Sequence, residues 1–522
     1  MTTESPLPAP GPLQLHEEMI RRLATLVALL PAAALAAPDE APSPSSNLDV
    51  RPAALEFNWT PMAMPDGGHT AFASLNYLVA VDDDWSIGPG VYGTAKGNYG
   101  GIFTVGFTGQ RRWRLSEETG VVAGLYVGAG GGLSSENMRF GGGLMLRPEL
   151  SLRTRFGAWY GGVGVSQIRF PSGNVKGDAG LAVTVGRYLD FAGHATADAG
   201  RRAQSDQRTG LGFDEISLTA GSERPSASSR DRTGKPYTGA VGKAGADLRQ
   251  YGAEGRWWGV EAAGAAQGGV DGYMEVLGQV GQDWAVPGTP RLRVGVQGGV
   301  GLGGGGNVDT GNGWLLRAGP TLRWITPWGP SVRVDAGVTH APSGEYTARF
   351  VRAALSLPLD RVPQPSGADP GGTVRVQQLG ASVTHVPRMR FKDGSEESVS
   401  HLALVMSRDF SPRVYGVAQA GSAAWGRAGA YSFGLFGLGV QSDPVWSRLR
   451  LGAEGLLGAA GGGGVAVGGG AVAQLEVWAQ WAVTDGLRLR AGLGQFRTLR
   501  SDDQAAALSQ VQLSYAFGTL QR

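Results

Sequence analysis

Arginines in this 522-residue chain fall at alternate positions between aliphatic residues, and they are the residues best placed to do chemistry. The segment from Met138 to Arg153 reads M-R-F-G-G-G-L-M-L-R-P-E-L-S-L-R. Met138, Phe140, Leu144, Leu146, Pro148, Leu150 and Leu152 share one parity; Arg139, Arg147, Glu149, Ser151 and Arg153 share the other. The same alternation sets Arg291 and Arg293 against Leu292 and Val294, and Arg333 and Asp335 against Val332 and Val334. It also sets Arg448, Arg450 and Glu454 against Leu449, Leu451 and Ala453, and Arg488 and Arg490 against Leu487, Leu489 and Ala491. Arg317 and Arg323 belong to a second copy of the first motif. A period of two places such side chains on one face of a β-strand. Guanidinium groups in excess over carboxylates along a wide wet lumen would favour anions or acidic oligosaccharides. Balanced by carboxylates, they would merely pair.

Other chemistry is thinly represented. With no cysteine, thiolate catalysis and Cys-ligated metals are excluded. His16, His69, His194, His340, His385 and His401 are scattered without metal-ligand spacing. His340 with Ser343, or His385 with Ser382, can be nominated as base and nucleophile, but nothing in the spacing joins them. No catalytic residue, cofactor or metal site is expected. The glycine run from Gly299 to Gly306 precedes no helical pattern, so it lacks the context of a phosphate-binding loop. A net charge of +2, with no basic stripe interleaved with aromatics, gives no case for nucleic acid.

The elements carrying these residues read as strands throughout. The alternating segment around residues 138–154 is longer than a usual strand of about five or six residues, and suits a membrane span of about nine to eleven. Leu146 to Arg153 (L-R-P-E-L-S-L-R) recurs as Leu316 to Arg323 (L-R-A-G-P-T-L-R) and, more weakly, as Ala473 to Gln480 (A-Q-L-E-V-W-A-Q). Turn chemistry divides the chain into three sets of about eight strands, over residues 53–192, 211–360 and 373–522, an internal repeat of about 160 residues. Segments 193–210 and 361–372 read as linkers. No helix pattern is available to cover so much apolar strand face, so lipid is the expected partner. Trp113, Trp159, Tyr160, Trp257, Trp258, Trp314, Trp324, Trp328, Trp446 and Trp481 lie near strand ends, as interfacial girdles require.

Residues 1–37 read as a leader, with Arg21-Arg22 before an apolar stretch and a small-residue cleavage site near Ala36. Met19 is the expected start, and residues 38–52 are a flexible tether. The final strand, Ser509 to Phe517 (S-Q-V-Q-L-S-Y-A-F), alternates apolar residues and ends on an aromatic one. With that strand and that leader, the chain resembles Gram-negative outer-membrane β-barrel proteins of the porin-like class, although Gly518 to Arg522 continue past the aromatic end. The resemblance implies an outer-membrane location, contact with lipid and lipopolysaccharide, and insertion by the barrel-assembly machinery.

The expected fold is thus an all-β transmembrane antiparallel up-and-down barrel of about 24 strands in three eight-stranded repeats, its lumen wide because diameter grows with strand number. The alternative is three tandem eight-stranded barrels. The first predicts passive passage of small hydrophilic solutes, with anions favoured. The second predicts a structural or surface-interaction protein without conductance.

Overall fold

The computed structural model describes residues 48–132, 137–205, 207–360, 371–501 and 503–521. The expected leader, residues 38–47 of the expected tether and most of the second linker lie outside the described residues; residues 48–52, expected in the tether, instead open the first strand, where they pair with its neighbour.

The first eight strands are β1 (Leu48–Ala63), β2 (His69–Ala80), β3 (Trp85–Thr94), β4 (Phe103–Arg114), β5 (Thr119–Gly131), β6 (Leu144–Phe156), β7 (Trp159–Ser166) and β8 (Gly180–His194). A two-residue strand, β9 (Arg202–Ala203), follows. Next come β10 (Glu215–Pro225), β11 (Val241–Tyr251), β12 (Arg256–Gln267), β13 (Met274–Val286), β14 (Thr289–Gly304), β15 (Trp314–Ile325), β16 (Ser331–His340) and β17 (Thr347–Pro358). The last are β18 (Gly372–Arg390), β19 (Glu396–Asp409), β20 (Val414–Trp425), β21 (Ser432–Gln441), β22 (Leu449–Gly461), β23 (Ala471–Ala482), β24 (Leu487–Thr498) and β25 (Ala505–Gln521).

The ladder closes three times. Phe57 of β1 lies opposite both Leu75 of β2 and Val185 of β8. Leu218 of β10 faces Ala246 of β11 and Leu355 of β17. Ala381 of β18 faces Leu404 of β19 and Leu513 of β25. Three antiparallel rings of eight strands result, so the single wall of about 24 strands is not formed. Closing each set on itself pairs every strand without a long search for a distant partner, and leaves no edge exposed to hydrocarbon. Between rings 1 and 3 the ladder continues only in fragments: β9 pairs with the first residues of β18, and Gly518 bridges His194.

Within each ring, connections at one end are short, as at residues 81–84, 287–288 and 483–486, while those at the other are longer, as at 226–240 and 305–313. The long loops do not all point away. Met138 and Phe140, expected within a strand, precede β6 instead, and Phe140 folds into its ring with Met64, Ile102, Ile168, Phe170 and Val175. Comparable apolar clusters fill the loop end of ring 2 (Val270, Tyr273, Val308, Tyr346) and ring 3 (Met389, Phe391, Val465, Val467). Each ring therefore carries an oily cork at its loop end, made of residues whose burial repays the ordering of the loop.

The rings meet at their loop ends through glycine. A Cβ on Gly101 of ring 1 would lie 2.2 Å from the Gly305 nitrogen of ring 2, and one on Gly461 of ring 3 would lie 2.3 Å from the Gly272 nitrogen of ring 2. Gly101, Gly305 and Gly272 also hold positive φ, which a side chain would strain. Ring 1 meets ring 3 by the Gly429 amide donating to the Gly141 carbonyl and the Ala430 amide to that of Gly130. At the turn end, Phe191 and Phe517 pack edge to face, 4.9 Å apart, tying rings 1 and 3. The C-terminal strand runs on to Gln521 opposite Thr373, so the aromatic Phe517 is buried between rings and does not mark the chain's last pairing.

Candidate functional site: the ring interiors and the outer apolar belt

Inward positions along the strands are polar and outward ones apolar. In β6, Arg147, Glu149, Ser151 and Arg153 are buried inside, while Leu150 and Leu152 stand exposed outside. The three L-R motif copies fall on β6, β15 and β23, the sixth strand of each ring. The motif's outward leucines, such as Leu316 and Leu475, are about half exposed, as lipid-facing residues of a barrel must be.

Ring 1 encloses two guanidinium groups against two carboxylates. Arg147 reaches Glu149 at 2.7 Å, Arg153 reaches Glu149 at 3.1 Å, and Arg153 also pairs with Glu56. The Tyr160 hydroxyl at 2.8 Å, the Gln110 amide at 2.9 Å and the Asn58 amide at 3.1 Å all donate to Glu56, which satisfies the remaining lone pairs of that carboxylate.

Ring 2 holds the densest network. Arg317 contacts Glu275 at 2.6 Å, Glu261 at 2.7 Å and Glu223 at 3.0 Å. Lys243 joins Glu223 at 2.8 Å and Glu275 at 2.9 Å, with Tyr346 and Tyr273 each donating at 2.8 Å to the same two carboxylates. Toward the turn end, Arg333 contacts Asp335 at 3.0 Å and Asp247; Arg352 contacts Asp335 at 2.9 Å and Glu261. Arg323 pairs with Glu215 and donates to the Tyr251 hydroxyl at 2.6 Å. Arg333 and Asp335 are both 0% exposed. Ring 3 has fewer charges: Arg490 meets Glu454 at 2.5 Å and Glu476 at 3.8 Å, beneath Trp478 and Tyr415.

Of the arginines and acids expected along a lumen, Arg147, Glu149, Arg153, Arg317, Arg323, Arg333, Asp335, Glu454 and Arg490 are buried inside rings. Arg293, Arg450 and Arg488 are half-buried at the turn-end rim, and Arg291 is exposed there. Arg139 and Arg448 lie outside the strands and are exposed, because the strands start later than the alternation implied, at Leu144 and Leu449. The expected guanidinium excess is corrected as well. Glu56, Glu215, Glu223, Glu261 and Asp247 all face inward and match the arginines. Their sequence signal was the alternation of Leu55, Glu56 and Phe57, or of Glu261 between Val260 and Ala262.

Neither nominated histidine reaches its serine. The His340 ring bonds Thr347 at 2.9 Å and Ser343 donates to Asn312, while His385 bonds Ser400 at 3.0 Å. Among the described residues no cluster of three His, Asp or Glu suits a metal ion.

Between the corks and the turn-end openings, then, each ring is closed, polar inside and apolar around its waist. Such a surface is stable only in lipid, and only a closed barrel can cross lipid by strands. The chain folds as β-barrels of the kind that cross a membrane by strands. No family model matches it, and no curated protein matches it in sequence. Among solved structures, the outer membrane protein opdK from Pseudomonas aeruginosa shares 11% identity, with 90% of this chain and 99% of that chain covered, at a TM-score of 0.23. The ferric enterobactin receptor PfeA in complex with BCV-L6 shares 9%, covering 91% of this chain and 82% of that chain, at 0.27. The NanC porin shares 8%, covering 57% of this chain and 98% of that chain, at 0.16. Likenesses at such scores decide nothing, and the barrel's own ladder sets its architecture.

One outer-loop contact gives a pH expectation. The Asp393 carboxyl is lowered from 3.8 to about 2 by hydrogen bonds from Ser395 and by the Arg427 guanidinium 2.8 Å away. Because the folded value lies below the free one, the contact is complete at neutral pH and is lost as pH falls through about 2. The Asp393 carboxyl resonance in labelled protein should titrate near that value, and in Arg427→Gln it should move back toward 3.8. An unmoved midpoint in the variant would remove the arginine from the explanation.

Proposed function

We propose that this protein is a surface-interaction platform of the outer membrane, in which three sealed barrels hold one composite loop face. The observation that carries it is the filling of each ring: an apolar cork over a buried ion-pair network. Eight strands leave room for side chains and little else. Loops from all three rings pack on one another, as where Trp314 donates to the Ala95 carbonyl at 3.0 Å and Arg232 to that of Gly100 at 2.6 Å. A rigid face of this kind presents charged groups such as Arg390, Lys392, Glu396, Glu397 and Arg427 at fixed spacing. No catalytic role is assigned, and the threefold sequence likeness is taken as tandem duplication of one barrel.

A passive channel for small solutes is the second reading, favoured by one feature. Ring 1 opens at its turn end into a vestibule of about 1160 Å³, lined by Asp82, Asp84, Arg112, Arg114 and Asp190 and ending at Arg153 and Tyr160. Planar-bilayer recording separates the readings. The platform predicts no steps on the order of a nanosiemens, whereas wide porin-like barrels give them. Such steps, abolished by filling the ring 1 vestibule with Gln110→Trp, would replace the platform by the channel.

A further inference from the structure

The exposed tryptophans do not form two girdles. Trp85, Trp113, Trp159, Trp258, Trp284, Trp324, Trp328, Trp446 and Trp481 all stand at the turn end, and Trp425 is the exposed tryptophan at the loop end. Set among them, two arginines of ring 1 break the alternation by facing outward. Arg111 of β4 lies opposite Trp85 of β3, its guanidinium carbon 5.7 Å from that ring's centre and 5.1 Å from that of Trp113. Arg187 of β8 lies 5.7 Å from the centre of the Trp159 ring. The inward arginines at the middle of the rings are matched by carboxylates, whereas Arg111 has no ion pair among the described residues, and its Nε is buried without an acceptor. A cation held against aromatic faces at the edge of a lipid belt, with its donors unspent, needs an anion from outside the protein.

The surface below Arg111 has the shape for what that anion is attached to. Two residues along β4, toward the middle of the barrel, Gly109 sits between Ile87 of β3 and Leu125 of β5. Nothing lies within 4 Å of where a Gly109 Cβ would be, and both neighbours are about half exposed. The result is a shallow apolar groove, one side chain deep, running from a guanidinium into the hydrocarbon.

We propose that Arg111, Trp85 and Trp113 bind the phosphate of a membrane phospholipid headgroup, with one acyl chain lying over Gly109 between Ile87 and Leu125. The site rests on the membrane reading given above. Its donors are the Nη groups of Arg111; its walls are the two indoles; and its geometry selects an amphiphile over a free ion. Arg187 with Trp159 repeats the cation and the aromatic but not the groove: Arg187 lies opposite Leu55 and Trp159, and the next outward residue along β8 is Val185.

Flotation with liposomes comes first. Wild type, Arg111→Gln and Gly109→Leu should all float, because the belt is intact in each; failure of wild type to float overturns the membrane reading itself. Native mass spectrometry of the floated protein, with phosphatidylglycerol as the probe, then tests the site. Wild type should retain one phosphatidylglycerol more than Arg111→Gln does, and that variant's retention should fall about tenfold, the loss of one charge-assisted contact. Gly109→Leu should weaken retention of phosphatidylglycerol while leaving glycerol phosphate unaffected, since only the chain meets the groove. Arg139→Gln, an exposed loop change, should behave as wild type. Equal retention by wild type and Arg111→Gln overturns the site, as does displacement of the lipid by millimolar inorganic phosphate, which would make it a free-anion site.

Discussion

Arg317→Met is expected to destabilise ring 2 by about 3–5 kcal/mol, the cost of removing one partner from a buried ionic cluster. The arginine touches three carboxylates, Glu223, Glu261 and Glu275, and Lys243 and Arg352 are left to neutralise them. Methionine fills the space but supplies no charge, so the surviving carboxylates must stay ionised without enough partners or take up protons. Urea unfolding of protein refolded into vesicles, followed by tryptophan fluorescence, measures the loss as a shift of midpoint. Adding Glu261→Gln to the variant should recover part of it, since the excess negative charge falls, while Arg291→Met at the exposed rim should lie within about 0.5 kcal/mol of wild type. An Arg317→Met midpoint equal to wild type would mean that water reaches these groups and hydrates them. The sealed interior, and with it the platform, would then be abandoned in favour of a wetted pore.

The second large effect concerns how rings are joined, not how they fold. Gly461→Val puts a branched side chain where even a Cβ would lie 2.3 Å from the Gly272 nitrogen, so the loop ends of rings 2 and 3 must separate. Forced shifts of packed backbone cost about 1–3 kcal/mol, which is roughly a five- to hundredfold weakening of that contact. Each ring's own ladder is untouched, because β22 pairs with β21 and β23 along its length and Gly461 is its last residue. With a protease site inserted between rings 2 and 3, the cut wild type should migrate as one particle in native electrophoresis, and the cut variant as two. Co-migration of both cut proteins would show that the contacts of ring 3 with ring 1 hold it in place without the close approach of Gly461 to Gly272, and Gly461 would lose its assigned role.

The two experiments probe different layers of one design. Outward leucines and valines commit the rings to lipid, inward charges fill them, corks close one end, and glycines let three corks touch. The composite loop face depends on all four, because a loop tip held by only one barrel would be free to move against its neighbours.

Much of this is legible in the amino-acid order. Alternation in Leu146 to Arg153 gave strand, face and polarity, since side chains on a strand must point to opposite sides whatever it pairs with. The same logic placed Arg317 and Arg323 inside a barrel. It failed at Arg139, where Gly141 and Gly143 take positive φ and turn the chain before β6 begins. It also failed in its balance of charge, because Glu56 and Glu223 sit singly in less regular strands and were easily passed over. Phe140 departs from the strand pattern for a related cause: it continues the apolar count of β6 although it belongs to a loop folded inward, where it packs with Ile168 and Phe170.

The amino-acid order by itself determined that the chain makes long antiparallel strands with one oily and one polar face, in sets of about eight, and hence that an apolar partner is expected to cover them. Tertiary structure alone decided where each sheet ends. Backbone N–H and C=O groups are the same at every residue, so β8 could satisfy its ladder against β1 or against β10 equally well. Choosing β1 turned one expected wide lumen into three filled interiors, and moved the protein's exposed chemistry from a pore wall to its loops and its lipid-facing rim.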